Sequence, residues 1–328
     1  MTANLTRLSI YGNVDYINYQ FTIITPIFYI TVLPLLYIIP TAINNIRILL
    51  VFLKSLTMKK EVGINRHVFL VINISNFTYI TFFLLELLSI RLPPTGIFTS
   101  WCAINEPGQL IKWSILICGY FSYTVMILPF LMSLFRLISI IRPNAHHNII
   151  PKLSTCMIMF TFSYPTIFAS ILIPSIGICS PTGAPLQFGS IRFYYRDSFL
   201  GLSSSPFLFF NTILWLSLTV IINAVIICKV AELRHRTTRM TQSKTSRRAE
   251  LSLTLTTCSL ILSFVTNEVC WLLYWFAPTS VLYIGIVKSF TTDMEVVISP
   301  WIFYCTHPIF KTAKIRTDQT VSRISRQT

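Results

Sequence analysis

The sequence predicts an all-α membrane protein built as a bundle of seven transmembrane helices. The chain of 328 residues has 53% hydrophobic and only 11% charged residues, whereas a soluble domain carries roughly 25% charged residues. Its mean hydropathy is +0.66. The apolar residues form seven long stretches, and the loops between these stretches alternate between basic and nearly uncharged. One water-soluble globule of this length could not bury that much apolar surface.

The seven apolar stretches define the predicted domain organisation. At about 1.5 Å per residue, each stretch crosses roughly 30 Å of hydrocarbon. We predict an extracellular N-terminus at residues 1–26, a transmembrane domain at 27–310 and a cytoplasmic tail at 311–328. The predicted spans are residues 27–53, 67–90, 110–138, 153–176, 206–230, 251–276 and 283–305.

The distribution of Lys and Arg predicts the orientation of the bundle. One set of alternate loops carries nineteen of these residues and the other set carries five, with Arg91 counted in the first outer loop. Because basic loops stay in the cytoplasm, the N-terminus is predicted to lie outside. The net charge of +15 therefore lies in loops that contact anionic lipid and gives no reason to expect a nucleic-acid partner.

Two cysteines and one asparagine fit an external location. Cys102 and Cys179 fall in the first and second outer loops, whereas the other six cysteines lie in or beside apolar segments. A disulfide between the two would restrict the loop that covers the bundle, and the alternative is two free thiols. Asn4 begins a glycosylation sequon, which is useful only if the N-terminus is lumenal.

Ionisable residues inside the spans are the main candidates for ligand binding. Each costs about 2.5–3.5 kcal/mol on insertion scales, so their presence indicates either pairing or function. Glu86, Glu268 and Lys288 lie towards the outer ends of spans two, six and seven, with Asp293 and Glu295 deeper. Lys288 could pair with Glu86 or Glu268. These groups could instead contact a polar ligand or act as an activation switch in that cavity, or they could be exposed at the interface. Trp271 either lines the same site or belongs to an interfacial aromatic belt.

Arg136 ends the third span at the cytoplasmic side. It could be an anchor whose charged end reaches the interface. It could also be a switch that closes the inner face at rest and contacts a G protein when active. Ile140 and Pro143 follow at the spacing of the arginine motif in rhodopsin-like receptors, but Phe135 stands where that motif has an acidic residue.

A second switch element is predicted late in the seventh span. Pro300 removes a backbone hydrogen bond within the helix and creates a kink point. Tyr304 follows it, and the block resembles the kinked, tyrosine-bearing end of rhodopsin-like receptors. Ser299 replaces the asparagine of that motif, and the tyrosine comes one residue late.

The sequence contains no recognisable catalytic motif. It lacks the nucleophile elbow, the zinc-protease helix motif and the glycine-rich phosphate loops. No cysteine or histidine spacing suits zinc. We therefore predict a protein that is not an enzyme and needs no metal or cofactor.

The whole chain resembles serpentine receptor class U, a family of nematode seven-helix chemoreceptors in the superfamily around class gamma. The stretches that carry the resemblance are residues 11–19, 65–70, 91–102, 187–189 and 249–257. The resemblance implies a GPCR-like receptor in the plasma membrane of sensory neurons. It also implies an extracellular small-molecule ligand and a heterotrimeric G-protein partner.

Two other functions remain compatible with seven apolar spans. A channel-type odorant receptor would have its N-terminus inside, against the charge distribution. A small-molecule transporter would use the intramembrane carboxylates for coupling, but the chain shows no internal repeat of the kind many transporters have. Because Phe135 departs from the arginine motif, a receptor that does not signal is a third alternative.

Overall fold

The structure is a computed structural model of the full chain. It describes residues 9–57, 66–141, 149–183, 186–202, 204–236, 281–307 and 310, with short pieces of span six between 254 and 276. In that part of the chain, helices dominate and one small sheet is present.

Five helical segments in the described residues are long and apolar enough to cross a membrane, which confirms the predicted class of helical membrane protein. Spans 1 to 5 are the segments Pro26–Leu56, Arg66–Thr95, Gln109–Ile141, Ile150–Leu172 and Ser204–Glu232. Span 1 consists of helices Pro26–Val32 and Leu35–Thr57, and span 5 is a helix over Ser204–Arg236. Span 4 is helix Ile149–Ala169 followed by a 3-10 turn at Ser170–Leu172.

Spans 6 and 7 complete the bundle. The described pieces of span 6 are helical between residues 254 and 276. Span 7 is one helix, Val281–Thr306, of 26 residues, so its length of about 39 Å exceeds the hydrocarbon core. It carries Lys288, Asp293 and Glu295 in its interior. Those charges therefore need partners inside the bundle.

Span 3 lies at the centre and packs against spans 2, 4 and 5 and against the small sheet. Its Leu131 and Phe135 are buried in the main hydrophobic cluster with Phe69 and Phe83 of span 2. Phe303 of span 7 joins the same cluster, with its ring 5.9 Å from that of Phe69. Spans 2, 3 and 7 therefore form one packed unit.

A hairpin covers the outer end of span 3. Strand β1, Ile176–Pro181, pairs antiparallel with strand β2, Ile191–Arg196. A short helix, Thr99–Ile104, precedes span 3 and ends before the Pro107-Gly108 pair. Cys102 in this helix and Cys179 in β1 form a disulfide, with their Cα atoms 6.0 Å apart.

Candidate functional site

A cavity of 270 Å³ lies between the outer halves of the spans, beneath the hairpin. Side chains of spans 2 to 5 form most of its wall. Asn267 of span 6, the span 7 residues Lys288, Thr292 and Glu295, and Phe193 of β2 complete it. Most of the wall is apolar and only a few polar groups converge on the cavity, as is usual for sites that take small organic molecules.

The structure places two of the predicted ligand residues directly in this wall, Glu86 and Lys288. Glu268 is buried on span 6, and both its carboxylate and that of Glu86 act electrostatically on Lys288. Trp271 lies outside the described residues. Two of the three ionisable candidates thus share the cavity wall, and the third, Glu268, is buried on span 6.

The partner of Glu86 is Arg91, a residue that the sequence predicts to lie in the first outer loop. Arg91 is buried, and its guanidinium donates to Glu86 at 3.0 Å. It also donates to both carboxylate oxygens of Asp293, at 2.9 and 2.7 Å, and to the Ser289 carbonyl at 3.0 Å. The Tyr37 hydroxyl donates to Asp293 as well. One buried ion cluster, defined by Arg91, Glu86, Asp293 and Tyr37, thus joins spans 1, 2 and 7.

A wide helical turn explains how Arg91 reaches Glu86. In an α-helix, five residues rotate by about 140° beyond one full turn, which would point these two side chains apart. The chain instead forms a π-helix over Leu87–Arg91, with Leu92 N–H donating to the Leu87 carbonyl at 2.8 Å. Residues five apart therefore lie on one face. The helical conformation continues through a 3-10 turn at Pro93–Thr95.

Our assignment of Arg91 to the outer loop is wrong, because span 2 continues past the predicted end at residue 90. Removing Arg91 from the outer loops strengthens the charge asymmetry and leaves the predicted orientation unchanged. The ion cluster as a whole was missed. The available signal was the pair of prolines after Arg91, since a helix often runs up to such a pair.

The N-terminal segment covers the outer loops and joins the hairpin. Ile10 N–H donates to the Cys179 carbonyl at 3.1 Å, and Gly12 N–H donates to the Ala103 carbonyl at 2.9 Å. Ile10 is buried in a small cluster that contains the disulfide. We call this assembly of residues 9–25, 96–105, 176–183 and 186–196 the outer cap. Three of the five stretches that carry the family resemblance meet in it.

Two glycines let the Tyr19 ring pack inside the outer cap. Gly96 and Gly189 both have positive φ, and a Cβ at either position would overlap the Tyr19 ring. At the exposed edge, the Tyr11 hydroxyl donates to Glu106 at 3.1 Å. This hydrogen bond and the charge of Glu106 raise the pKa of the Tyr11 phenol. The outer cap is thus held by side chains as well as by its disulfide.

On the inner side, Arg136 is buried and donates to the Thr254 hydroxyl of span 6 at 2.8 Å. Phe135 is fully buried in the main cluster, so the residue at the acidic position of the arginine motif serves packing. A polar contact between spans 3 and 6 is therefore present without a carboxylate. The geometry fits either predicted role of Arg136.

Pro300 lies within span 7, against span 1. The Asn44 side chain donates to the Pro300 carbonyl at 3.3 Å, and Trp301 Nε1 donates to the Thr41 hydroxyl at 3.0 Å. Tyr304 is half-buried, with its ring 4.9 Å from that of Phe310. The kink region is thus attached to span 1 by polar contacts. Asn4 and the tail at 311–328 lie outside the described residues.

These features define a class of protein: a multi-pass helical membrane protein with a capped cavity among its spans. Residues 10–313 match the family described as serpentine type 7TM GPCR chemoreceptor Sru. The chain is also 35% identical over 264 residues to serpentine receptor class U-26 of Caenorhabditis elegans, covering 80% of this chain and 90% of that protein. The chain belongs to the Sru family of serpentine chemoreceptors.

Proposed function

We propose that this protein is a plasma-membrane chemoreceptor of sensory neurons that binds an extracellular small molecule and signals through a heterotrimeric G protein. The cavity beneath the outer cap is the observation that carries the proposal. Its volume of 270 Å³ suits a small organic molecule. Family membership supports a receptor rather than an enzyme.

The cavity is linked to elements that could change arrangement on binding. Glu86 belongs to the wall and to the ion cluster, so a ligand that contacts it acts on spans 1, 2 and 7 together. Thr292 and Glu295 lie in the wall on the same helix as Pro300, one to two turns away. A ligand shifts the equilibrium between two states only by its differential affinity for them. The Pro300 region provides a point at which span 7 can bend.

At the inner face we assign Arg136 the switch role. Its hydrogen bond to Thr254 joins spans 3 and 6, and release of that bond would open the face that a G protein contacts. A hydrogen bond to a charged group contributes about 1.5–3 kcal/mol. Loss of the Thr254 hydroxyl should therefore increase the open population about tenfold or more.

The test measures basal nucleotide exchange on a panel of Gα classes in membranes that contain the receptor. We expect Thr254→Val to raise exchange above wild type and Arg136→Ala to abolish it. Thr155→Val is the matched control, because Thr155 is exposed on span 4 and bonds only its own helix backbone among the contacts described. Exchange that neither substitution changes, or that no Gα class shows, would contradict G-protein coupling through Arg136.

The sidedness of tagged termini in intact cells tests the receptor topology independently. We expect an accessible N-terminal tag, a protected C-terminal tag and a glycan at Asn4 that an endoglycosidase removes. An accessible C-terminus with a protected N-terminus would favour the channel-type alternative, and ion currents would then be the measurement to make.

A further inference from the structure

Two polar side chains of the cavity wall have atoms that lack a hydrogen-bond partner in the described structure. Glu295 is 3% exposed, and its Oε1 atom accepts no hydrogen bond. Asn267 is 8% exposed, and its Oδ1 atom also accepts none. Both residues line the cavity. Buried acceptors in proteins almost always have donors, so this part of the wall is built to accept hydrogen bonds from an occupant.

The outer half of the bundle also carries more acidic than basic groups. Glu86 and Asp293 share a single guanidinium, that of Arg91. Glu268 and Glu295 are also buried, on spans 6 and 7. The sequence from 251 to 287 contains no Lys, Arg or His, so span 6 supplies no further cation.

The other outer cations do not face the cavity. Lys112 donates to the Ile173 carbonyl at 3.0 Å, and Arg196 pairs with Asp197 at 3.1 Å. Neither residue contributes to the wall. Lys288 does line the cavity, and among the described wall residues it is the only one with a basic side chain. Four carboxyl groups thus face two cations, Arg91 and Lys288, in this region.

This imbalance determines which ligand charge the site favours. A buried carboxylate without a counter-ion is costly in a low-dielectric interior, and a cation placed beside it reduces that cost. An ammonium group offers three N–H donors and no acceptor. It can therefore donate to both Glu295 Oε1 and Asn267 Oδ1, the two acceptor atoms of the wall that lack a donor in the described structure. A carboxylate ligand would add a further negative charge and leave Glu295 and Asn267 without donors.

The apolar part of the wall indicates the rest of the ligand. Tyr123, Phe168 and Phe193 contribute aromatic rings, which pack against apolar groups and attract cations through their faces. We propose that the ligand is a small primary amine, protonated, with an aromatic or branched aliphatic body, and that its ammonium group binds Glu295 and Asn267. This inference rests on the proposed ligand-binding function of the cavity.

The test compares matched ligands on the purified full-length receptor in lipid nanodiscs. The probes are 2-phenylethylamine and isoamylamine, each with the alcohol and the carboxylic acid of the same carbon skeleton. We expect the amines to raise the thermal midpoint in a saturable way, and the alcohols and acids to leave it unchanged. Glu295→Gln should weaken amine binding at least tenfold. Glu232→Gln, at an exposed carboxylate of span 5, should leave it unchanged.

Three outcomes would overturn the inference. Stabilisation by alcohols or acids but not by amines would show that the cavity binds ligands without selecting a cation, so the proposed function would stand. Full amine binding by Glu295→Gln would exclude Glu295 as the anchor. If Glu295→Gln does not fold, the comparison of amine with alcohol on the wild-type receptor still decides whether the cavity selects an amine. If no probe binds, the amine inference fails, and the separate nucleotide-exchange assay judges the receptor function.

Discussion

Replacement of Arg91 by methionine tests the ion cluster most directly. Methionine keeps an apolar stem but removes the guanidinium. The change deletes two hydrogen bonds to Asp293, one to Glu86 and one to the Ser289 carbonyl. It also deletes the cation that lies 5.1 Å from the centre of the Phe83 ring. Two buried carboxyl groups are then left in one another's vicinity without a counter-charge.

The expected loss of stability is large. Removing one partner of a buried ion pair costs about 3–5 kcal/mol, because the remaining charge is uncompensated. Using about 2–4 °C per kcal/mol for a chain of moderate size, the thermal midpoint should fall by roughly 6–20 °C. The assay heats samples to a series of temperatures and measures the monodisperse protein that remains at each by size-exclusion chromatography. Arg192→Met, at an exposed arginine of β2, is the control and should change the midpoint by less than about 2 °C.

A compensating variant separates charge from shape. Combining Arg91→Met with Glu86→Gln and Asp293→Asn removes every charge of the cluster, and neutral replacement of a buried ion pair is often nearly neutral for stability. The triple variant should therefore recover most of the lost midpoint. Equal midpoints for Arg91→Met and Arg192→Met would refute the reasoning. A triple variant as unstable as the single one would show that packing, and not charge, sets the loss.

Two further predictions concern the outer cap. Gly189→Ala should destabilise the protein by about 1–3 kcal/mol, because the position has φ of +86° and the added Cβ would overlap Tyr19. Gly183→Ala, where a Cβ meets nothing within 4 Å, should leave the midpoint unchanged, and equal effects would contradict the packing argument. Cys102→Ser should lower stability by about 2–5 kcal/mol, since the disulfide closes a separation of 77 residues. Cys156→Ser, at an exposed free cysteine, is its control in the same thermal assay, and similar midpoints for the two variants would refute this prediction.

Features that depend on composition and on the long-range pattern of charge were predictable. Spans 1 to 5 follow from runs of apolar residues, and their observed bounds lie within a few residues of the predicted ones except at the end of span 2. Cys102 and Cys179 were the natural pair because both lie outside the spans on the same side. Such inferences need only the chemistry of the bilayer, which acts on each segment separately.

The partner of Glu86 was not predictable by the same reasoning. The apolar pattern ends near residue 90, so Arg91 resembles a residue at a helix end that faces water. The π-turn at Leu87–Arg91 places it inside the bundle instead. Its main partner, Asp293, lies 202 residues away in the sequence. A local pattern contains no information about which distant helix face will lie opposite.

The sequence by itself thus determined the class, the number of spans and the family, because hydropathy, charge and characteristic stretches act locally along the chain. The tertiary structure alone decided which of the buried charges meet. It joined Arg91 to Glu86 and Asp293, and it left Glu295 in the wall of a cavity with an acceptor atom that lacks a partner in the described structure. The physical reason is that ion pairing depends on distances of a few ångströms between helices, which packing sets.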